Sequence, residues 1–524
     1  MSNPFHGGSD ALLEHVMLHY RWIFVMFLLP ISMLYDIYFY ARNYVVFKLS
    51  SAPNQHPRKV KKVQQQVLDW IKSGSTKPMC TARPGWQTIS LQNMVYKKRM
   101  SQIKIELVDI LEVNTEQRYV RCEPLVSMGQ LSHTLSQLGW TIPILPELDD
   151  LTVGGLVMGT GIETSSHKYG LFQHICQEYE LVMADGSVIV CSEEENQDLF
   201  YAVPWSYGTL GFLVSVKIKI VPSKQFVHIN YFPMHSMQQA IELLRSSLSS
   251  ENPDEFIECL VFSKDTAVVM TANFSDKCDS KKLNRIGRWF KPWFFKHVEC
   301  MLKKSRDGVS GVVCEEWIPL RDYYHRHSRS IFWEIQDIIP FGNNILFRYV
   351  FGWLIPPKIS LLKLTQGKTI KRLYEQHHMV QDMLVPLESL QRSLDMFEEQ
   401  VSIYPLWICP FKLPNNLGML RTDDKIPDMF VDIGVYGVPK RDSFDAVQTT
   451  RTVEEFVRRE KGFQMLYADS YLTREEFSTM FDLDLYSEMR EKYRCQNAFP
   501  HVYDKINKHA RSTLNLDPKL KKIE

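Results

Sequence analysis

Metal-ligand and redox spacing is missing from this chain. Its ten cysteines (Cys80, Cys122, Cys176, Cys191, Cys259, Cys278, Cys300, Cys314, Cys409 and Cys495) include no Cys-x-x-Cys pair, and no histidine stands beside them at zinc-ligand spacing. That excludes a zinc motif and reads as buried free thiols in a reducing compartment. A charge excess is missing too: 61 Lys and Arg stand against 60 Asp and Glu. Nothing therefore points to nucleic acid, and a small molecule or a membrane is the expected partner. No basic region opens the chain, and no small-residue cleavage site follows its first apolar run, which argues against a cleaved signal peptide. What is present is size: 524 residues, 45% hydrophobic and 12% aromatic, too long for one core and enough for two or three domains.

The first apolar run, "WIFVMFLLPISMLYDIYFYA" from Trp22 to Ala41, carries one charge, Asp36. Twenty helical residues span about 30 Å, so the run predicts one transmembrane helix, an anchor over 22–48 after a short segment 1–21. Tyr20, Trp22, Tyr38, Tyr40 and Tyr44 lie near its ends, where aromatic rings favour the membrane interface. Pro30 and Asp36 interrupt it and leave a hairpin or an interfacial segment open. Arg42, Lys48, Arg58, Lys59, Lys61 and Lys62 all follow the run, which places the bulk of the chain in the cytosol. The final "KKIE", with Lys521 and Lys522, matches a dilysine retrieval signal and agrees with an endoplasmic reticulum membrane.

Beyond a polar linker, "KVKKVQQQVLDWIKS" (59–73) places Val60, Val63, Val67, Trp70 and Ile71 at helical spacing. Residues 102–110 and 118–124 alternate like strands, 128–140 reads as a helix stopped by Gly139, and 178–192 has the Asp185-Gly186 turn of a hairpin. Residues 211–222 form a further strand ended by Pro222. In the second half, 239–248 is a helix and 260–274 a strand hairpin. The class is α+β.

"GGLVMGTGIETSSHKYG" (154–170) holds five glycines and four hydroxyl residues. It is not a Rossmann fingerprint, because no third glycine follows Gly159-Thr-Gly161. It is not a P-loop, and Gly367-Lys368-Thr369 is not one either, with Leu362 where a glycine is needed. A tight structural turn and a loop whose bare backbone cradles a diphosphate both satisfy the spacing.

The wider pattern resembles the flavoproteins of the p-cresol methylhydroxylase and vanillyl-alcohol oxidase type. The matching pieces are "CTARPGW" (80–86), "TVGGLVMGTG…YG" (152–170), "MADGSV" (183–188) and "DLFYAVPWSYGTLGFLVSVKIKIVP" (198–222). "PELDDLTVGGL" (146–156), "KPWFFKHVE" (291–299), "YYHRH" (323–327), "QDIIPFGNN" (336–344) and "GFQMLYAD" (462–469) are similar to a membrane-bound branch that saturates sterol side chains.

The resemblance implies a two-subdomain FAD-binding domain over 55–231, a substrate or cap domain with mixed sheet and helices over 232–455, and a C-terminal segment, 456–524, that returns to the flavin. It implies FAD contacts from Arg83 and Gly85. Further contacts come from Gly154, Gly155, Gly159, Thr160, Gly161, Ile162, Glu163, Thr164, Ser165, Ser166, His167, Lys168, Tyr169, Gly170, Leu171 and Phe172. Gly208, Thr209 and Gly211 complete the set. Where many relatives carry a flavin-linking histidine, this chain has Arg83-Pro-Gly85-Trp86-Gln87-Thr88. FAD without a covalent bond at that site is expected, although His167 leaves another attachment point open.

The implied reaction is NADPH-driven saturation of a sterol side-chain double bond, with a sterol, the lipid bilayer and other sterol-biosynthesis enzymes as partners. No separate NADPH motif is present. The reaction needs an acid, for which Tyr467, Asp469 and Tyr471 in the returning segment and Tyr324, His325 and His327 in "YYHRH" are candidates. Each is equally suited to a satisfied core network. "WFKPWFFKH" (289–297) and "IIPFGNNILFRYVFGWLIPP" (338–357) are apolar stretches that fit either a bilayer contact or a core. The flavin loops alone would also permit an oxidase or dehydrogenase of a soluble alcohol or sugar acid, or a scaffold that has lost its chemistry.

Overall fold

Apolar alternation in the first half of the chain builds a five-stranded sheet, and longer buried strands in the second half build one of eight. The computed structural model describes residues 20–48, 51–88, 90, 92, 94–305, 314–355, 363, 375–414, 418–420, 428–440 and 444–514. Gly367-Lys368-Thr369 and Lys521-Lys522 lie outside the described residues.

Strands β1 (Met79–Thr81) and β2 (Ser101–Ile103) form a parallel pair. β3 (Ile110–Asn114), β4 (Tyr119–Cys122), β6 (Cys176–Val182), β7 (Val188–Ser192) and β8 (Phe212–Lys219) make an antiparallel sheet ordered β3-β4-β8-β6-β7. β5 (Trp140–Thr141) pairs with β9 (Val221–Pro222) beside it. The β6–β7 hairpin turns at Gly186, whose φ of +84° suits glycine and whose added Cβ would stand 2.9 Å from Leu68 Cδ2. The strand predicted over 102–110 is broken in the middle. The Lys104 N–H donates to Gln66 Oε1 at 2.8 Å and the Asp109 N–H to Glu123 Oε2 at 2.9 Å, so side chains replace the ladder there.

The large sheet runs β13-β10-β12-β11-β15-β16-β14-β17, antiparallel throughout. Its strands are β10 (Phe226–Met234), β11 (Phe256–Val261), β12 (Ala267–Ser275), β13 (Cys314–Pro319), β14 (Met379–Pro386), β15 (Leu406–Lys412), β16 (Met429–Gly437) and β17 (Phe463–Gln464). β11 is buried along its whole length and β14, β15 and β16 nearly so, because both faces of the sheet centre are covered. Helices Met237–Leu248, Phe294–Lys304, Leu390–Gln400 and Ala446–Arg459 pack against its strands. β17, from the C-terminal segment, closes the edge beside β14. All ten cysteines are free thiols.

Two helices precede the sheets. α1 (Arg21–Lys48) forms where the sequence predicts a helix, but no helix among the described residues is long and apolar enough to cross a membrane. Instead of standing free as an anchor over 22–48, α1 lies along the body. Val25, Leu29 and Ser32, at helical spacing, are buried. Trp22 meets Phe341 edge-on at 5.1 Å. Phe27, Ile31, Leu34 and Ile37 are exposed on α1. The stretch 338–357 is likewise no span: it breaks into the short helices Glu334–Ile338 and Ile345–Phe351 and a turn at Gly352–Leu354.

α2 (Ser51–Lys72) buries Val60, Val63, Val67 and Trp70, while Ile71, expected on that face, is exposed. Its polar side is pinned by Lys59, whose Nζ donates to Asp109 Oδ2 at 2.6 Å and Glu123 Oε2 at 2.7 Å. His56 completes the pin, with Nδ1 2.9 Å from Glu123 Oε1 and Nε2 3.4 Å from Glu180 Oε2. Burial alone would lower the imidazole pKa; the hydrogen bonds and charges of Glu123 and Glu180 outweigh it and raise the net value above 6.5. A raised folded pKa gives stability that is complete below 6.5 and fades as pH rises through the folded value. A pH series of thermal unfolding curves is expected to show Tm falling above that value by a few degrees more in the wild type than in His56→Gln. Parallel curves would mean that the histidine does not hold the helix.

Candidate active site

The glycine-rich segment begins as α4 (Val153–Met158) and opens at Gly159. Gly154, Gly155, Gly159, Thr160, Gly161 and Ile162 line a cavity of about 480 Å³. Two of these glycines answer to the protein's own packing. A Cβ on Gly154 would lie 2.7 Å from Pro124 Cβ, and one on Gly161 would lie 2.7 Å from Leu156 Cδ2 and 2.9 Å from Pro146 Cγ. Gly155 and Gly208 differ. A Cβ would meet only Thr152 Oγ1 at 3.3 Å in the first and only Lys505 Nζ at 4.0 Å in the second, so bare backbone lines the cavity there. Gly208 has φ +69° and the neighbouring Tyr207 φ +51°, which turns "PWSYG" around the cavity wall.

Four cations line the same cavity: Arg83, Lys97, Lys363 and Lys505. Lys505 Nζ donates to the Tyr207 carbonyl, Lys97 Nζ to the Thr81 and Arg83 carbonyls at 3.2 and 2.8 Å, and Arg83 to Gln87 O at 2.8 Å and Thr152 Oγ1 at 3.2 Å. Burial, joined by repulsion from Lys97, pushes the Lys505 pKa down to about 8, and burial lowers Lys97 and Arg83 as well. Clustered cations held mainly by carbonyls, next to bare backbone, are a donor set that fits the diphosphate of FAD. Gly211 also lines the cavity.

The second half of the loop does other work. Glu163, Thr164, Ser165, Ser166, His167, Lys168, Tyr169, Gly170, Leu171 and Phe172 do not line the cavity, and neither do Gly85 and Thr209. The turn α5 (Ser166–Tyr169) packs on β15 of the large sheet. The Thr164 carbonyl accepts from the Ile257 N–H at 2.9 Å, and Lys168 and Tyr169 bond Glu255, each at 2.9 Å. His167 spans the carbonyls of Thr164 at 2.9 Å and Asp254 at 2.8 Å. Glu163 Oε1 accepts from Arg326 Nη2 at 3.1 Å, and the same guanidinium holds Glu258, its Nε reaching Oε1 at 3.0 Å. All three are fully buried, and Arg326 outweighs desolvation to hold Glu258 at about 2.

Other walls of the cavity are aromatic and acidic. Phe332, Trp407, Tyr436, Tyr467, Asp382 and Ile338 line it as well. Phe332 lies 5.2 Å from Trp407 and 5.0 Å from Tyr436, ring to ring. Ile331 and Phe332 both have positive φ, +48° and +57°, costly for a β-branched and a bulky residue and concentrated where the cavity is lined. Tyr436 donates its hydroxyl to Asp382 Oδ1, and Tyr467 bonds the same carboxyl. Burial raises Asp382 to about 6, against the lowering effect of both hydroxyls.

Of the candidate acids, Tyr467 lines the cavity. Asp469 instead pairs with Lys508 at 3.2 Å and Arg511 at 2.5 Å, and the Tyr471 hydroxyl accepts from Lys508 at 2.9 Å. His325 bonds Ser132 Oγ at 2.7 Å and Glu147 O at 3.1 Å. His327 stacks on Phe332 at 4.6 Å, and the Tyr324 hydroxyl accepts from Thr141 Oγ1 at 3.1 Å. None of these five lines the cavity. Sequence reasoning missed Lys97, Lys505, Asp382 and Tyr436. For Asp382 a signal exists, a single carboxylate inside the apolar strand "MVQDMLVP".

Residues 76–192 match a family profile described as FAD binding domain. The Delta(24)-sterol reductase of Homo sapiens is 56% identical over 500 residues, covering 95% of this chain and 96% of that protein. The Delta(24)-sterol reductase homolog of Caenorhabditis elegans is 46% identical over 517 residues, 96% and 97% of the two chains. The Delta(24)-sterol reductase of Arabidopsis thaliana is 37% identical over 525 residues, 93% and 92% of the two. With a cavity suited to FAD and relatives matched along almost their whole length, the chain belongs to the Delta(24)-sterol reductase family.

Proposed function

We propose that this chain reduces the carbon–carbon double bond at position 24 of a sterol side chain, using non-covalently held FAD and NADPH as the electron donor. The observation that carries the reading is one continuous cavity lined both by a cationic, bare-backbone cradle and by an aromatic, acidic wall. Bound and reduced, FAD supplies the hydride.

The protein's residues supply the rest. Arg83, Lys97 and Lys505 would neutralise the diphosphate, and the backbone at Gly155 and Gly208 admits it closely. An isolated trisubstituted alkene has no conjugated carbonyl, so it accepts hydride only when an acid places positive charge on its more substituted carbon. The rings of Phe332, Trp407 and Tyr436 line the cavity and are suited to stabilise such charge. The mostly apolar lining disfavours water that would capture the cation.

A sterol partitions into lipid, and the apolar surface supports a bilayer as its source. The exposed residues of α1 are accompanied by Ile345, Leu346, Tyr349 and Trp353, also exposed, next to the α1–Phe341 contact. We propose that this surface lies in the bilayer interface of the endoplasmic reticulum, with the body in the cytosol, where free thiols persist.

Three outcomes are expected. Purified under anaerobic conditions, the protein should show flavin absorbance that bleaches with NADPH and returns on addition of a sterol with an unsaturated side chain; recovery only with air would favour an oxidase. Lys505→Met should weaken FAD binding about tenfold in a fluorescence titration. Flotation with phosphatidylcholine vesicles should fall several-fold when Phe27, Leu34 and Leu346 are all changed to Asp, with FAD content retained; undiminished flotation would remove this surface from the membrane contact.

A further inference from the structure

The sterol-reductase reading requires a proton as well as a hydride, and the cavity holds four described carboxyl groups: Glu147, Asp150, Glu334 and Asp382. Three have other engagements. Asp150 acts on Arg83, Glu147 is bound up with Glu163, and Glu334 pairs with His378 Nε2 at 2.9 Å. Asp382 has no cation within ion-pair distance among the described residues. Its neighbours are instead two phenols, Tyr436 and Tyr467, that line the same wall.

Backbone geometry builds this arrangement deliberately. Asp382 on β14 stands opposite Gly434 on β16, and Tyr436 lies two residues further along β16 on the same face. The Tyr436 side chain folds back over Gly434 to reach the carboxyl across the strand pair. A Cβ on Gly434 would come within 2.6 Å of the Tyr436 hydroxyl and 3.1 Å of Asp382 Oδ1, so only glycine leaves room for the pair. Asp432, one pleat away on β16, has both carboxyl oxygens buried without a hydrogen-bond partner among the described residues, and burial pushes its pKa well above the usual carboxylate range.

We infer that Asp382, entering the reaction as the neutral acid, protonates the substrate alkene, and that the hydroxyls of Tyr436 and Tyr467 hold the carboxylate that forms. The alkene π pair takes the carboxyl proton to make the new C–H bond at carbon 24, and the O–H electrons remain on the carboxylate. Reduced FAD, when bound, would supply the hydride that completes carbon 25, and solvent would reprotonate Asp382 before the next turnover. Two hydrogen bonds that strengthen as charge develops favour the transition state over the ground state. Burial raises Asp382 to about 6, so a minor protonated fraction is present at neutral pH and grows as pH falls toward that value.

This assignment rests on the sterol-reductase reading, and one experiment separates the two. Pre-reduced, FAD-loaded enzyme is mixed anaerobically with an unsaturated-side-chain sterol in H2O and in D2O, and flavin reoxidation is followed by stopped flow. A wild type that the sterol does not reoxidise removes the reductase reading itself. With an active wild type, Asp382→Asn should retain FAD and lose about 10²–10⁴-fold in reoxidation rate. Tyr436→Phe and Tyr467→Phe should each lose about tenfold and show a larger solvent isotope effect as proton delivery becomes limiting. An Asp382→Asn enzyme that reoxidises at the wild-type rate overturns the assignment. Should that variant fail to hold FAD, Tyr436→Phe decides, and an unchanged rate and isotope effect overturns it.

Discussion

A single buried guanidinium ties the glycine-rich loop to the large sheet. Arg326 reaches Glu163, midway along the glycine-rich loop, and Glu258, in the middle of β11, and all three are removed from water. Charges so placed are tolerable only together, since removal of any one strands the others in a low-dielectric interior. The cavity lies between the parts thus tied, so its width is set by how firmly the loop is held against the large sheet. Thr164, Lys168 and Tyr169 add neutral and charged bonds along the same seam. The loop therefore has two jobs divided along its length: residues up to Ile162 leave space, and those after it fasten.

Much of this was legible in residues whose role is local. The Asp185-Gly186 turn, the amphipathic face of α2 and the glycine loop each announce themselves within a dozen positions, because turn chemistry and periodicity are short-range. The division of the loop was not legible, since whether Gly154 spares Pro124 or a ligand depends on a turn thirty residues away. Nor were Lys97 and Lys505, which look like ordinary surface lysines until the fold brings them to one wall. "YADSY" held three candidate acids at successive odd positions, yet only Tyr467 reaches the cavity, while Asp469 and Tyr471 turn to Lys508.

The apolar run at 22–41 shows a different limit. Hydropathy counts side chains and cannot tell lipid from protein as the apolar medium. Leu29 is fully buried by the molecule itself, while Phe27 and Leu34 remain uncovered, so the run divides its surface between two environments. The body-docked half also reaches helix Glu334–Ile338, whose Ile338 lines the cavity. One element thus touches both the uncovered apolar surface and a wall of the site.

The cavity is closed by parts of the chain that are made last. Ser90 bonds the carbonyl of Tyr467 at 2.6 Å, Gln92 that of Ala468 at 2.6 Å, and Lys505 the carbonyl of Tyr207, contacts separated by 298 to 377 positions. A nascent polypeptide can form the hairpin and the glycine loop early, but the chamber stays open until the segment from Tyr467 to Lys505 has been made. Non-local closure of this kind is slow, and a ligand that binds only the finished state draws the equilibrium toward it. A cofactor bound across that seam would therefore hold the finished fold together as well as supply its chemistry.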